Sequence, residues 1–260
     1  MVKPKDLMIF LAVPLLIVSL LFLMSAGGSV TSTTGYEWYF NPNQEHLQPE
    51  VIDKVPMEGY PVLYYGNKER KAVTITFDAG FDNGCHEPIL NTLKEKGVSA
   101  TFFLDGNFVK ENGELVQRMA AEGHTVGNHS LNHADMTALT DFDTYQKQVT
   151  GWNDLVSALG ITPSAYFRFP CGKFSERALE YNQRLGLTSV FWSFAYYDWV
   201  QNEQPDPEKA LEKIMSRMHN GCVLLLHSVS STNAQILGTL IDRLRAEGYE
   251  IVSIDEMIRG

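Results

Sequence analysis

Five short runs of apolar or β-branched residues contain, or are closely followed by, side chains that are charged or can bind a metal ion. In chain order these side chains are Asp78, His129 with His133, Arg168, Asp198 and His227. Carboxylate, imidazole and guanidinium groups brought together can support general acid–base catalysis or metal-assisted hydrolysis. Because so many such placements are not expected by chance, their recurrence predicts a common site.

His129 and His133 lie four residues apart and could share a metal ion in a helical turn or in a tight loop. Imidazole with oxygen ligands suits zinc, and it also suits cobalt, nickel or other divalent ions. Taken alone, a histidine pair at this spacing is weak support for a metal site. His124 precedes the same β-branched run, and we expect it to be structural or exposed.

Asp78 and His227 are candidates for general base and general acid. Asp78 could take a proton or bind a metal, or it could simply cap a turn through its side chain. His227 ends an apolar run, so it could be a hydrogen-bonded core residue or an acid with a pKa near neutrality. Asp198 could fix the tautomer of His227. Arg168 could pair with Asp78 and keep it ionised, or form a structural salt bridge.

Strands that alternate with helices must position these groups. The patterns predict strands at 72–77, 100–104, 125–128, 166–169, 189–193, 223–227 and 249–253. They predict helices at 86–96, 112–122, 142–159, 175–186, 207–219 and 233–248. This alternation favours an α/β fold with a parallel sheet and outer helices, in which the chemistry lies at the C-terminal ends of the strands.

Length and charge limit the class of protein. A chain of 260 residues is long enough for one large domain with a full core. The formal net charge of −10 argues against a nucleic-acid partner, because phosphate backbones bind clustered Lys and Arg. We expect a signal anchor or signal peptide at 1–30, a linker and N-terminal extension at 31–70, and the main domain at 71–260. The aromatic residues within 36–40 are expected to pack onto that domain, and we expect a monomer.

The N-terminal segment carries an export signal in this interpretation. Lys3 and Lys5 precede an uncharged apolar run at 7–24, which is close to the length needed to cross a bilayer and also fits the core of a signal peptide. Either interpretation exports the rest of the chain. We favour an uncleaved membrane anchor with its N-terminus inside, since no A-x-A cleavage site follows the run. A buried core helix is the alternative, although such helices are rarely apolar all round.

Cys85, Cys171 and Cys222 make an odd number of cysteines for an exported chain, so at least one must be free or pair with another molecule. Their spacing is too wide for a zinc knuckle. Cys222 begins an apolar run and is expected to be a buried thiol. A disulfide between Cys85 and Cys171 is left open.

The motifs resemble those of a known family. They occur in the order Thr-Phe-Asp-x-Gly, His-Ser-x-x-His, Arg-x-Pro-x-Gly, Asp-Trp and Leu-Leu-His. This order resembles that of the polysaccharide deacetylases, the NodB-like enzymes of carbohydrate esterase family 4, over roughly residues 71–255. In more detail, segments 76–84, 191–199 and 227–234 look like the spore-cortex branch that forms muramic δ-lactam. Segment 36–49 resembles the N-terminal extension of that branch.

The resemblance implies a single-domain, distorted (β/α) barrel of seven or eight units and hydrolysis of N-acetyl groups on peptidoglycan amino sugars. The substrate would be N-acetylmuramic acid on the route to muramic δ-lactam in spore cortex, deacetylated outside the cytoplasm. One alternative is a deacetylase of N-acetylglucosamine in peptidoglycan or another cell-wall glycan. Another is a catalytically weak, metal-poor relative that binds glycan.

The resemblance also assigns catalytic roles. Asp78 would take a proton from a water molecule held by a divalent metal ion, expected to be zinc, at His129 and His133. That water would attack the acetamide carbonyl, and His227 would protonate the leaving amine.

Further residues would support these groups. Arg168 would steady Asp78, and Asp198 would steady His227. Arg168 would also bind the lactyl carboxylate of muramic acid, since it is the only cation that the motifs place at the mouth of the barrel. Trp199 is a further candidate for substrate binding.

Ala79 departs from the family pattern. Most relatives carry a second Asp there as the third metal ligand, and the methyl group of Ala79 cannot coordinate a metal. Asp82, Asp78 itself or additional water molecules could complete the ligand set. Otherwise we expect weak metal affinity and loss of the metal during purification.

Overall fold

A curled sheet of parallel strands forms the centre of the computed structural model, which describes residues 32–51 and 57–260. The strands in chain order are β1 (Tyr36–Glu37), β2 (Phe40–Asn41), β3 (Glu50–Val51), β4 (Val62–Leu63), β5 (Ala72–Ala79), β6 (Thr101–Leu104), β7 (Thr125–Asn128), β8 (Tyr166–Phe167), β9 (Lys173–Phe174), β10 (Thr188–Val190), β11 (Cys222–His227) and β12 (Glu250–Ile251). The helices are α1 (His86–Lys96), α2 (Gly106–Glu111), α3 (Gly113–Ala121), α4 (Phe142–Ala158), α5 (Glu176–Arg184), α6 (Pro207–Met215), α7 (Ser231–Ala246) and α8 (Ile254–Arg259). Two short 3-10 helices occupy Met136–Ala138 and Pro170–Gly172.

The main sheet has the strand order β11-β5-β6-β7-β8-β10-β4, and β12 also pairs with β5. All of these pairings are parallel. The sheet curls until its two edges meet. Tyr65, just after β4, bridges to Cys222 of β11, and Phe194, after β10, bridges to Leu224 of the same strand. The result is the distorted barrel that the family resemblance implies.

Strand β5 shows how the sequence builds the barrel. All eight of its residues are buried, as expected for a parallel strand that is covered on both faces. Val73, Ile75 and Phe77 belong to the large apolar core that the strands share with the outer helices. The alternate residues Thr76 and Asp78 bond instead to Arg168 from β8's C-terminal end. The two-residue period of the strand therefore separates the apolar core from the polar interior.

The segment before residue 71 is more closely integrated than the sequence predicts. Strand β4 pairs with β10 and so belongs to the main sheet. Strand β1 pairs with β9, and the nearby Trp38 is buried and stacks on Phe191 with a centroid distance of 4.5 Å. Tyr39, by contrast, is 60% exposed and does not pack as expected. A two-residue strand beside prolines and tyrosines carries no periodic signal that would reveal β4.

The predicted strands and helices from 72 to 253 all occur, with ends that differ by a few residues. The predicted strand at 189–193 ends at Val190, because Ser193 and Phe194 leave it to bond with β11. Helices α2 and α8 were not predicted, since six residues are too few to show a helical period.

The predicted membrane anchor or signal peptide at 1–30 lies outside the described residues. Within 32–51 and 57–260, no helix combines the length and hydropathy needed to cross a membrane. Cys85, Cys171 and Cys222 are all free thiols in the structure, so the disulfide left open between the first two is not formed. Cys222 is buried, as predicted.

Candidate active site

A cleft of about 840 Å³ lies at the C-terminal edge of the sheet. It is lined by predicted site residues from four strand ends or the loops after them: Asp78, His129, His133, Trp199 and His227. Arg168 and Asp198 are buried beneath it and bond to Asp78 and His227. The structure therefore brings all of the predicted site residues into one constellation.

Asp78 is held by Arg168 at the end of β5. An Arg168 Nη1–H group donates to Asp78 Oδ1 at 2.7 Å. Burial raises the pKa of Asp78, but the nearby Arg168 charge, together with His129 and His227, lowers that pKa overall. Asp78 therefore stays ionised at neutral pH and can accept a proton.

Arg168 is an internal support for Asp78. Its side chain is fully buried, and its guanidinium also donates to Thr76 Oγ1, the Val190 carbonyl and the Phe191 carbonyl. These bonds leave no exposed face for a substrate carboxylate. The predicted role of Arg168 in substrate binding is therefore not supported, whereas its predicted pairing with Asp78 is observed.

His227 forms a hydrogen-bonded pair with Asp198. Its Nδ1–H group donates to Asp198 Oδ1 at 2.7 Å, and its backbone N–H donates to Asp198 Oδ2 at 2.9 Å. Asn233 Nδ2 also donates to Asp198 Oδ2. Burial lowers the pKa of His227, but Asp198 and then Asp78 raise that pKa overall. His227 therefore keeps a proton to higher pH than an ordinary histidine, as a general acid requires.

Asp78 and His227 are neighbours in the sheet. They are register partners on the parallel strands β5 and β11. A base that is ionised and an acid that is protonated thus stand side by side at one strand edge, each with its own charged partner. Pairs of groups whose surroundings shift their pKa values apart are typical of acid–base catalytic sites.

His129 and His133 meet edge to face, with ring centroids 4.9 Å apart. The Nδ1–H group of His129 donates to the Arg168 carbonyl at 2.8 Å, which leaves the Nε2 lone pair free. That Nε2 atom lies 3.8 Å from Asp78 Oδ2. Burial lowers the pKa of His129 to about 4, so its imidazole is neutral at pH 7.

The donors near His129 fit a metal ion only in part. Ala79 supplies no ligand, and within the described ranges no three His, Cys, Asp or Glu side chains are arranged to hold a metal. Asp82, one of the residues expected to complete the ligand set, instead bonds to His86 at 2.7 Å. The two imidazoles are suitable ligands, but among the described residues the third protein ligand is missing.

The cleft contains residues that were not predicted as site residues. Asp105 follows β6 and lines the cleft, while its Oδ1 caps helix α2 by accepting from the Phe108 N–H. The strand-end rule that found the other residues applies equally to Asp105. Phe81 and Tyr197 also line the cleft and are 42% and 47% exposed, close to the 48% of Trp199. Exposed aromatic rings of this kind can stack on sugar rings.

His124 does not belong to the candidate active site. It is buried, and its Nδ1 accepts from the Ala100 N–H at 3.2 Å, before the start of β7 and away from the cleft lining. His124 is therefore structural, as one of its two predicted alternatives stated.

Comparison with known proteins agrees with an acid–base hydrolytic site in this cleft. A family model described as polysaccharide deacetylase matches residues 65–190. Peptidoglycan-N-acetylmuramic acid deacetylase PdaA from Bacillus subtilis is 38% identical over 224 residues, which cover 85% of this chain and 85% of that protein. This chain belongs to the polysaccharide deacetylase family. It is a hydrolase of the family 4 carbohydrate esterases, which cleave N-acetyl amide bonds.

Solved structures extend the comparison to the fold of this polysaccharide deacetylase. The structure of Bacillus subtilis PdaA, a family 4 carbohydrate esterase, superposes with a TM-score of 0.83 at 36% identity, covering 87% of this chain and 97% of that one. A CE4 family pseudoenzyme from Bacillus anthracis gives a TM-score of 0.69 at 28% identity, covering 75% and 68%. Peptidoglycan-N-acetylglucosamine deacetylase PgdA from Listeria monocytogenes is 32% identical over 190 residues, covering 73% of this chain and 39% of that protein.

These findings confirm the predicted family and barrel fold. Deacetylases of this family are generally metal-dependent. Within the described residues of this chain, however, His129 and His133 have no third protein ligand beside them.

Proposed function

We propose that this polysaccharide deacetylase removes the acetyl group from N-acetylmuramic acid in peptidoglycan, on the route to muramic δ-lactam in spore cortex. The observation that carries the proposal is the pairing of Asp78 with His227 across β5 and β11, each supported by a buried partner of opposite charge. The similarity to PdaA supports the choice of sugar.

The geometry supports a direct account of the proton transfers. Asp78 accepts a proton from a water molecule whose oxygen attacks the acetamide carbonyl carbon. The tetrahedral intermediate then collapses, the C–N bond breaks, and His227 gives its proton to the departing nitrogen. The products are acetate and an amino sugar. Arg168 keeps Asp78 ionised before the reaction, and Asp198 orients His227 and stabilises its imidazolium.

Substrate contacts come from the aromatic part of the cleft. Trp199 packs 5.5 Å from the His227 ring and 4.5 Å from the Tyr197 ring, so its exposed face lies beside the acid. A sugar ring stacked on Trp199 would place its acetamide near Asp78 and His227. We therefore propose Trp199 and Tyr197 as substrate-binding residues.

N-acetylglucosamine in peptidoglycan is the second candidate substrate. No Lys or Arg is among the described residues that line the cleft, and Arg168 is buried beneath it. A free lactyl carboxylate would therefore meet no guanidinium or ammonium group, whereas N-acetylglucosamine has no carboxylate. The similarity to PgdA also favours N-acetylglucosamine.

The third candidate function is that of a glycan-binding relative with little catalytic activity. Ala79 removes a metal ligand, and one neighbour in fold is described as a pseudoenzyme. The acid and the base are both in place here, which favours turnover over binding alone.

The test uses residues 31–260, which form one compact unit. Peptide-free glycan strands and chitin oligomers are incubated with this protein, with and without divalent ions, and mass spectrometry follows the net loss of C₂H₂O from each sugar. Loss on muramic residues supports the proposal, and a further loss of water shows that lactam closure is intrinsic. Loss on glucosamine alone favours the second candidate. If, with every ion, neither sugar loses C₂H₂O faster than it does with Asp78→Asn, the third candidate, a glycan-binding relative with little catalysis, is favoured.

Location is part of the proposal. We propose that the chain acts outside the cytoplasm, held at the membrane by residues 1–30. Membrane fractionation of cells producing the full chain, compared with a chain lacking residues 1–30, tests this. Recovery of both chains in the soluble cytoplasmic fraction would reject it.

A further inference from the structure

A second aspartate–histidine pair lies behind the cleft. His86, the first residue of α1, bonds through Nδ1 to Asp82 Oδ1 at 2.7 Å. Its Nε2 atom lies 2.8 Å from Ser228 Oγ. The side chain of His86 is completely buried, that of Ser228 is buried as well, and the Asp82 side chain is 28% exposed. We call Asp82, His86 and Ser228 the buried relay.

The directions of the hydrogen bonds in the buried relay follow from its chemistry. A carboxylate can only accept, so the Nδ1 atom of His86 carries the proton that is donated to Asp82. Burial lowers the pKa of His86, so the ring is neutral at pH 7 and its Nε2 atom is an acceptor. Ser228 therefore donates its O–H to His86. Every polar atom of the imidazole is used.

The buried relay does not form a second catalytic triad. Its order of serine, histidine and aspartate is that of a serine hydrolase, but the Ser228 hydroxyl is buried and does not line the cleft. A nucleophile must reach its substrate. The relay therefore acts on the protein and not on a ligand.

The relay joins the two strand ends that carry the reacting groups. Ser228 directly follows His227, and its backbone N–H and Oγ both lie 3.4 Å from the Asp78 carbonyl oxygen. Asp82 and His86 belong to the loop and helix that follow Asp78 on β5. A second hydrogen bond links the same two segments, since Asn83 Nδ2 donates to the Val229 carbonyl at 2.7 Å. Side-chain hydrogen bonds therefore connect the segment that follows β5 with the segment that follows β11.

We infer that the buried relay positions Asp78 and His227 for the proposed deacetylation, on which this inference rests. The direct contacts between Ser228 and the Asp78 carbonyl are long, so they restrain the two strand ends weakly. Asp78 and His227 are the last register pair of β5 and β11, and beyond them the shorter bonds through His86 add restraint. His86 and Ser228 are positioning residues for the reaction, although neither touches the substrate.

The experiment compares His86→Leu with His124→Leu in the full chain. Both histidines are buried, and each packs on a phenylalanine ring, with centroid distances of 4.8 Å for His86 and 5.4 Å for His124. His124 precedes β7, at the end of the sheet away from the cleft. Rates of acetate release are divided by the folded fraction from circular dichroism, so that loss of folded protein is removed.

We expect kcat to fall about 100-fold in His86→Leu and less than about twofold in His124→Leu, because only the first change moves the reacting groups. KM should be unchanged in both, since the aromatic sugar contacts are intact. His86→Gln, whose amide can donate to Asp82 and accept from Ser228, should keep kcat within about tenfold of the original. Equal normalised kcat in His86→Leu and His124→Leu would show that the relay is only structural.

A second measurement needs no substrate. Nuclear magnetic resonance of ¹⁵N-labelled histidine follows the titration of His227, which faces Asp198, Asp78 and Arg168, with His227→Gln used to assign its signal. In His86→Leu the pKa of His227 should fall toward its ordinary value, because the strand end shifts relative to Asp198. An unchanged His227 titration would overturn the inference. Failure of the original protein to release acetate from any glycan would instead overturn the proposed function, and the titration would still judge the relay.

Discussion

Two aspartate–histidine pairs lie at the ends of the neighbouring strands β5 and β11, and each has an Oδ1–Nδ1 distance of 2.7 Å. The pKa of His227 is raised, whereas the pKa of His86 is lowered. For His86, burial outweighs the effect of Asp82, which is partly exposed and therefore partly screened by solvent. For His227, buried Asp198 and nearby Asp78 outweigh burial. The same local geometry thus gives opposite protonation, because the surrounding charges differ.

The second ring nitrogen makes the functional difference. His86 Nε2 is occupied by the Ser228 hydroxyl, a neutral donor. His227 lines the cleft, where its Nε2 can face a substrate. One pair can therefore transfer protons, and the other can only hold its neighbours in place.

The largest expected effect comes from making the same change in both pairs. Asp198→Asn should lower kcat by about 10²–10⁴-fold, because it removes the charge that keeps His227 protonated. Asp82→Asn should cost less than about tenfold, since the amide oxygen can still accept from neutral His86. The pH dependence of kcat/KM checks the cause. Asp198→Asn should move the alkaline limb to lower pH, and Asp82→Asn should leave it in place.

Equal losses in these two variants would remove the distinction between the pairs. Their melting temperatures serve as the control, because a variant that only destabilises the fold lowers both melting temperature and yield without moving the pH limb.

Arg168→Lys tests the third charged pair, which supports Asp78. A lysine cannot reproduce the four directed bonds that the Arg168 guanidinium makes, so Asp78 should be displaced and kcat should fall about 100-fold. Because Arg168 is buried, we expect the same loss on muramic and on glucosamine sugars. Acetate release from the two matched glycans measures this. A loss confined to muramic sugars would restore the role of Arg168 in substrate binding.

Ala79→Asp tests whether the missing third ligand weakens metal binding beside Asp78 and His227. A carboxylate at this position would add a third protein ligand to His129 and His133, so zinc affinity measured by calorimetry should rise at least about tenfold. Ala79→Val, which adds volume without a ligand, should not bind zinc more tightly. Elemental analysis of the original protein, purified without added ions, should show little bound metal. Full activity in a metal-free preparation would show that no metal is needed.

The smallest effect is on the pH dependence of stability, where the two histidines should act with opposite sign. The pKa of His86 is lowered in the folded state, so its contribution to stability is lost as pH falls below its ordinary pKa. The pKa of His227 is raised, so its contribution is fully present below the ordinary pKa and is lost as pH rises through the raised value. Each proton difference is worth at most about 1.4 kcal/mol per pH unit.

Urea unfolding measures these contributions at about pH 7.5 and pH 5.5, two pH values on either side of the ordinary histidine pKa. Relative to the original chain, His86→Gln should lose less stability on acidification, and His227→Gln should lose more. Parallel behaviour of the two variants would contradict the opposite pKa shifts.

Much of the reacting pair could be predicted from the sequence. The β-branched and apolar runs predicted the strands, and parallel strands place their C-terminal ends at one edge. Asp78, His129 and His227 were therefore expected together before any distance was known. Asp105 obeys the same rule, since it directly follows β6 and lines the cleft.

The buried relay shows where local patterns stop being sufficient. Asp82 and His86 are four residues apart, but Ser228 lies 142 residues beyond His86. No periodicity links such positions, so Asp82 was considered as a metal ligand when it is in fact turned toward α1.

The amino-acid sequence alone determined which residues end the strands, because alternation of apolar and polar side chains is a local property of each strand. Tertiary structure alone decided which of those residues face the cleft. Arg168 was expected at the mouth, yet the closing of the barrel surrounds it with Asp78, Val190 and Phe191. Burial and the choice of hydrogen-bond partner depend on contacts between distant parts of the chain, and those contacts exist only once the sheet has curled.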